Sequence, residues 1–209
     1  SMADAIHWAV DEGAQIINMS VGSFGTSSVL EEAVDYAWNK NVLIIASAGN
    51  CGDGNFKDEG CETQNPKIYP AALDSVVAVG AVDYNGETAS FSEHGDWVDV
   101  VAPGVSIATT APTADYVLRH DKVTGKEGSL SYAYFTGTSF ASPMVAGVAA
   151  LAFSAGNQTA AEVRGLLENT SQDVQGTGSD FVHGMVNAAA VVGGEATVEE
   201  PSGSGSAEP

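Results

Sequence analysis

"NVLIIASAGN", residues 41–50, contains an unbroken apolar run from Val42 to Ala46. A strand with one wet face alternates apolar and polar residues, and this one does not. A short aliphatic run that stops at a glycine is the pattern of a strand buried on both faces, as in a parallel sheet covered by helices.

The neighbouring segments fit that reading. Upstream, "VLEEAVDYAWNK" (29–40) reads as a helix, with Ser28 and Glu31 spaced as a capping box. Before it, "IINMSVG" (16–22) is a short strand. In "ADAIHWAVDEGAQ" (3–15), Ile6, Ala9 and Val10 share one side and Asp4, Asp11 and Glu12 lie elsewhere, as in an amphipathic helix. Downstream, "SVVAVGAV" (75–82) and "WVDVVAPG" (97–104) are β-rich. A helix apolar all round begins near Thr138. Thr159 and Glu162 give another capping box, and "MVNAAAVV" (185–192) reads as a last short helix. The expectation is an α/β fold of three layers, with a mainly parallel sheet between helices. Residues 193–209, "GGEATVEEPSGSGSAEP", have the composition of an acidic linker or tail.

The 209 residues are 44% hydrophobic, enough for one sizeable core. No stretch has the apolar length of a membrane span, so no membrane partner is expected. Seven Lys and Arg face 27 Asp and Glu, a net charge of −20 that repels phosphate backbones and argues against nucleic-acid binding. The two cysteines, Cys51 and Cys61, are either a disulfide or two free thiols. A bridge closing so short a loop would contribute about 2–3 kcal/mol. Their spacing lacks the paired ligands of a zinc site.

Three stretches invite chemistry. In "YFTGTSFASPMVAGVAALAF" (134–153), a helix starting just after Gly137 leaves the Ser139 N–H among the unsatisfied donors of its first turn. The helix dipole there favours a developing negative charge. Pro143 has no N–H for the Ser139 carbonyl. The plainer alternative is an ordinary N-cap hydroxyl. "SAGN" (47–50) ends a buried strand, where ligands of open α/β sheets bind, and an Asn there can present an N–H to an oxyanion. Its alternative is a turn. "INMSVGS" (17–23) has a glycine that lets another backbone approach, or is a plain strand end.

Together these stretches resemble the subtilisin-like serine proteases, the subtilase family. "GTSFASPMVAG" is similar to the nucleophile motif, which implies Ser139 as nucleophile; "SAGN" implies Asn50 as the oxyanion donor. "INMSVGS" resembles the strand that pairs with substrate, implying that Ser20, Val21 and Gly22 bind the peptide along with Ala48 and Gly49. Ile68, before Tyr69-Pro70, is implied as a floor of the side-chain pocket, and "YPA" implies a cis bond between Tyr69 and Pro70. "YPAALDSVVAVGAVD", "ASFSEHGDWVDVVAPG" and "HGMVNAAAVV" follow in the family's order, so the resemblance covers roughly residues 3–192. No cofactor is expected for the chemistry. A structural calcium is common in the family, and Asp53, Asn55, Asp58 and Glu59 are either its ligands or solvated charge.

One departure stands out. The family's triad runs Asp, His, Ser, and neither the Asp nor the His motif occurs here. None of His7, His94, His120 and His183 matches the catalytic position. The resemblance therefore implies a partial catalytic domain, residues 1–192, whose base and acid lie in a missing N-terminal part of the same domain, and whose substrate is a polypeptide outside the cell. The stretch holding His120 is longer than usual and reads as an extra hairpin. Two other functions compete. An α/β-hydrolase-type esterase would use Ser139, Asp173 or Asp180, and His183, but its nucleophile elbow needs G-x-S-x-G. A subtilase-like domain kept only for binding would explain the missing groups.

Overall fold

The computed structural model describes residues 1–53, 61, 63–111, 116–118, 121–123, 132–156 and 159–194. A five-stranded parallel sheet forms its centre, built from β1 (Ile16–Met19), β2 (Leu43–Ser47), β3 (Val76–Val82), β4 (Val100–Pro103) and β9 (Gly184–Met185), in that spatial order. Every residue of β2 and β3 is buried. Alternate side chains serve opposite layers, because strand side chains project with a period of two. Leu43, Ile45, Val77 and Val79 pack with helices α3 (Thr138–Ser154) and α4 (Ala160–Asn169). Ile44, Ala46, Val76 and Ala78 pack with α1 (Met2–Asp11) and α2 (Ser28–Asn39). Fully burying each such side chain contributes about 1.5–3 kcal/mol, which makes the covered sheet the main source of stability.

Local signals place the helices. Ser1 and Asp4 form a capping box for α1, as Thr159 and Glu162 do for α4. The expected box at Ser28 and Glu31 is not made. Ser27 is the cap of α2, accepting from the Leu30 N–H at 3.3 Å. The third helical position is thus Leu30, which has no carboxylate to return the bond. The closing helix is α5 (Ala188–Val191).

Among the described residues two small two-stranded sheets lie outside the main one. Strands β5 (Ile107–Thr110) and β8 (Tyr132–Phe135) pair antiparallel. Strands β6 (Tyr116–Leu118) and β7 (Asp121–Val123) pair antiparallel within the stretch expected to hold an extra hairpin. His120 lies outside the described residues, as do residues 195–209 of the expected tail. Cys51 and Cys61 are joined by a disulfide, with Cα atoms 5.7 Å apart, and the Tyr69-Pro70 bond is cis.

Helix α3 differs from the all-buried element its composition suggests. Ala141, Val145, Ala149 and Ala152 face the sheet, whereas Pro143, Met144, Gly147, Ala150 and Leu151 are exposed. Among the described residues, β1 has a sheet neighbour on one side only.

Candidate active site

The carboxyl ends of β1 and β2 point at the first turn of α3. Gly137, rather than a hydroxyl residue, caps this helix, and no side chain closes it. Thr138 and Ser139 therefore enter the first turn with their hydroxyls directed elsewhere. The Thr138 N–H donates to Asn50 Oδ1 at 2.9 Å. Its Oγ1 lies 3.0 Å from the same oxygen and 3.2 Å from both the N–H and the carbonyl of Gly49. A backbone N–H can be satisfied only by an acceptor, so it fixes which branch of the Asn50 amide is oxygen. The other branch, Nδ2, is a donor.

Pro143 leaves the Ser139 carbonyl without its usual helical partner, and the Ser20 hydroxyl donates to it instead at 2.8 Å. Two residues that the sequence reading passed over extend this link. The Ser142 hydroxyl donates to Asn18 Oδ1 at 2.7 Å, and Asn18 Nδ2 donates to Ser20 Oγ at 3.1 Å. The polar chain ties the end of β1 to the first turn of α3. Their signal was a lone Asn in an apolar strand and a lone Ser deep in an apolar helix. Ser142 is fully buried, so it requires a polar partner.

The Ser139 hydroxyl lies 3.4 Å from the carbonyl of Ser20, a long contact. A carbonyl accepts a hydrogen bond but is no base at neutral pH, so Ser139 is not activated by this contact. The three described histidines are elsewhere. His7 packs at a tilt against Tyr36 between α1 and α2, and His94 has Nδ1 3.3 Å from the Ser92 carbonyl. His183 precedes β9, with Nε2 3.8 Å from Glu168. That position is at the amino end of β4, since the His183 N–H bonds the Asp99 carbonyl at 2.9 Å, whereas Ser139 faces the carboxyl ends. Asp180 accepts from Thr88 at 3.0 Å and Asp173 is exposed. The esterase arrangement of Ser139 with Asp173 or Asp180 and His183 is therefore overturned.

Ser20, Val21, Gly22, Gly49, Asn50, Ile68 and Ser139 line one cleft of about 210 Å³. Ala48 does not join them: it is fully buried and its N–H bonds the Val79 carbonyl at 2.9 Å. Ile68 spans the cleft floor. A Cβ on Gly22 would come within 2.3 Å of Ile68 Cγ2, and one on Gly49 within 2.7 Å of its Cγ1. Gly49 also has φ +114°, a conformation other residues rarely adopt. A larger cavity of about 310 Å³ lies near the amino ends of β3 and β4. Of its lining residues, Arg164 meets Asp99 at 3.1 Å and also reaches Glu168 at 2.6 Å.

Beneath the cleft is a group no motif announced. Glu93 is 1% exposed, and both its carboxylate oxygens lie 3.0 Å from the Cys51 N–H. Burial pushes its pKa up to about 7 against the pull of the Cys51 N–H. Among the described residues no three His, Cys, Asp or Glu side chains gather as a metal site. Of the calcium candidates, Asn55, Asp58 and Glu59 lie outside the described residues.

The Subtilase family profile, Peptidase S8, matches residues 1–186. The chain belongs to the subtilase family. This subtilase chain is 43% identical over 186 residues to the thermophilic serine proteinase of Bacillus sp. (strain AK1), covering 89% of this chain and 39% of that protein. It is 38% identical over 188 residues to thermitase of Thermoactinomyces vulgaris, covering 90% and 57%. The crystal structure of fervidolysin from Fervidobacterium pennivorans superposes with a TM-score of 0.74 at 34% identity, over 93% of this chain and 29% of that one. The chain thus spans about two-fifths to three-fifths of the length of these two curated relatives. The three-layer reading agrees with the neighbouring folds.

Proposed function

We propose that this subtilase chain supplies the nucleophile and the oxyanion site of a serine endopeptidase. The observation that carries the reading is the orientation of Asn50. With Oδ1 held by the Thr138 N–H, the other branch of the amide is the donor Nδ2, on a residue that lines the same cleft as Ser139. Ser139 Oγ attacks the scissile carbonyl carbon. Its proton goes to a base carried by another part of the domain, and the C=O pair moves onto the carbonyl oxygen. Asn50 Nδ2 and the Ser139 N–H donate to that oxyanion. Collapse breaks the C–N bond, the base returns the proton to the leaving amine, and an ester remains on Ser139 for water to hydrolyse. The peptide lies along Ser20, Val21 and Gly22, and Ile68 limits the pocket to small apolar side chains.

The exposed stripe of α3 and the open side of β1 support docking of a segment that carries the family's Asp and His against this face. The disulfide supports an extracellular setting. Calcium takes no part in the steps above.

The test joins the chain behind the leading segment of a subtilase that carries the family's Asp and His. Peptide hydrolysis is expected in the chimera, lost in its Ser139→Ala form and negligible in the chain alone. Removing such a donor in a subtilisin costs about 10²–10³ in kcat, and Asn50→Ala is expected to match it. A folded but inactive chimera that still binds peptide would favour the binding-only domain instead.

A further inference from the structure

The turn bearing Asn50 is gripped on two sides. From above, α3 holds the Asn50 side chain through Thr138. From below, the segment 91–93 holds its backbone at three points. The Gly52 N–H donates to the Phe91 carbonyl at 2.9 Å, the Glu93 N–H donates to the Gly49 carbonyl at 3.3 Å, and the Cys51 N–H donates to the Glu93 carboxyl. There is no slack between the layers. A Cβ on Gly52 would lie 2.0 Å from the Ser92 carbonyl oxygen, and one on Gly49 would lie 2.8 Å from Glu93 Oε1. Of these three bonds, one uses a side chain, and that side chain is the only charged one among the buried described residues. A buried carboxylate held by backbone N–H groups alone costs stability compared with an apolar residue, so the fold by itself does not call for it.

We propose that Glu93 is a positioning residue of this site: through the Cys51 N–H, its carboxyl holds the turn where the Asn50 amide meets the oxyanion. The proposal rests on the reading of Asn50 as the oxyanion donor. Asn50 and Cys51 are adjacent, so moving the Cys51 N–H moves the Asn50 Cα, and the amide swings about its contact with Thr138. Ile68 packs against the same side of Gly49 as the Glu93 carboxyl, which blocks water from replacing the bond from the cleft side. The titratable groups on the surrounding segments are Asp53 on the turn, His94 next in the chain, and Lys67 and Tyr69 beside Ile68. What acts on the carboxyl is burial, then the Cys51 N–H, then its own N–H. The proton it gains or loses therefore reports directly on the strength of the Cys51 contact.

Two measurements test this. In the ¹⁵N-labelled full chain, the Cys51 amide resonance is followed from about pH 4 to 9, a range that spans ordinary and raised carboxyl values. It is expected to titrate, and Glu93→Gln is expected to abolish the titration. A Cys51 resonance that ignores pH, or moves equally in Glu93→Gln, overturns the contact. In the chimera, Glu93→Leu is expected to lower kcat about 10- to 100-fold with KM nearly unchanged, because a misplacement of about 1 Å has that effect. Glu93→Gln, which keeps an acceptor, restores most of the rate, and it carries the comparison where the Leu variant does not fold. Asn50→Ala then costs less in the Glu93→Leu background than in the parent chimera. Strictly additive losses overturn the positioning role and leave the oxyanion reading standing. If Asn50→Ala leaves kcat of the parent chimera unchanged, the oxyanion reading falls and this proposal falls with it.

Discussion

Helices α2 and α3 cover opposite faces of the same sheet, yet they treat solvent differently. Helix α2 buries Leu30, Ala33, Val34 and Ala37 and exposes Glu31, Glu32 and Asp35. Its outer surface is complete, apart from single apolar residues such as Val29, which are ordinary on a protein surface. Helix α3 buries an equally regular stripe and exposes a second apolar one, with Met144 37% and Leu151 47% accessible. Water gives no reason for that second stripe. Helix α2 presents charge to solvent, whereas α3 presents a second apolar stripe, the kind of surface that marks an interaction face.

The sharpest way to break this contrast is to attack the buried stripe of α3. Val145 is fully buried among Ile45, Val79 and their neighbours. Val145→Asp is expected to cost roughly 4 kcal/mol or more, since a carboxylate there has no partner. Loss of the cooperative transition in denaturant unfolding is the readout. On the other face, Ile6→Ala removes a buried side chain where α1 meets α2, and about 2–5 kcal/mol is expected in the same assay. A comparable loss from Leu151→Lys in the chain alone would show the second stripe to be a true core surface. The expectation is instead a change within about 0.5 kcal/mol in the chain alone. In the chimera the same substitution should cost more, measured as the difference in melting temperature between the two backgrounds.

The layer under the cleft offers a pH test. Glu93 titrates near 7 when folded and near 4.5 when unfolded. Between those values the folded state binds more protons at this group, so the Glu93 contribution to stability is greatest below about pH 4.5, falls up to about pH 7 and then levels. Each pK unit is worth about 1.4 kcal/mol. Asp99, also raised by burial against the pull of Arg164, acts in the same direction. The decisive quantity is therefore the difference from Glu93→Gln, which should lose the Glu93 part of the slope; unfolding curves at several pH values give it directly. A local effect concerns the cap of α2. Ser27→Ala should cost about 1 kcal/mol, and Ser28→Ala close to nothing, in urea titrations. The reverse order would restore the cap one residue later.

Much of the fold was legible in short windows. The run Leu43 to Ser47, the spacing of Ile6 and Val10, and the box at Thr159 and Glu162 act over a few residues, so sequence displays them. The three chemical stretches showed Ser139, Asn50 and the Ser20 to Gly22 segment for the same reason, each sitting where an element begins or ends. Neighbouring serines make equally good caps, so the choice of Ser27 over Ser28 depended on where the chain from β1 could reach α2. Helix α3 read as buried all round, because composition records apolarity and not what stands opposite. The links from Ser20 to the Ser139 carbonyl and from Ser142 to Asn18 span more than a hundred residues, and no local pattern carries them. Glu93 is the clearest case. In the string "FSEHGD" it looks like one more solvated charge in an acidic chain. Only the tertiary structure seals it under Gly49 and Cys51, because burial is set by what packs from elsewhere in the chain.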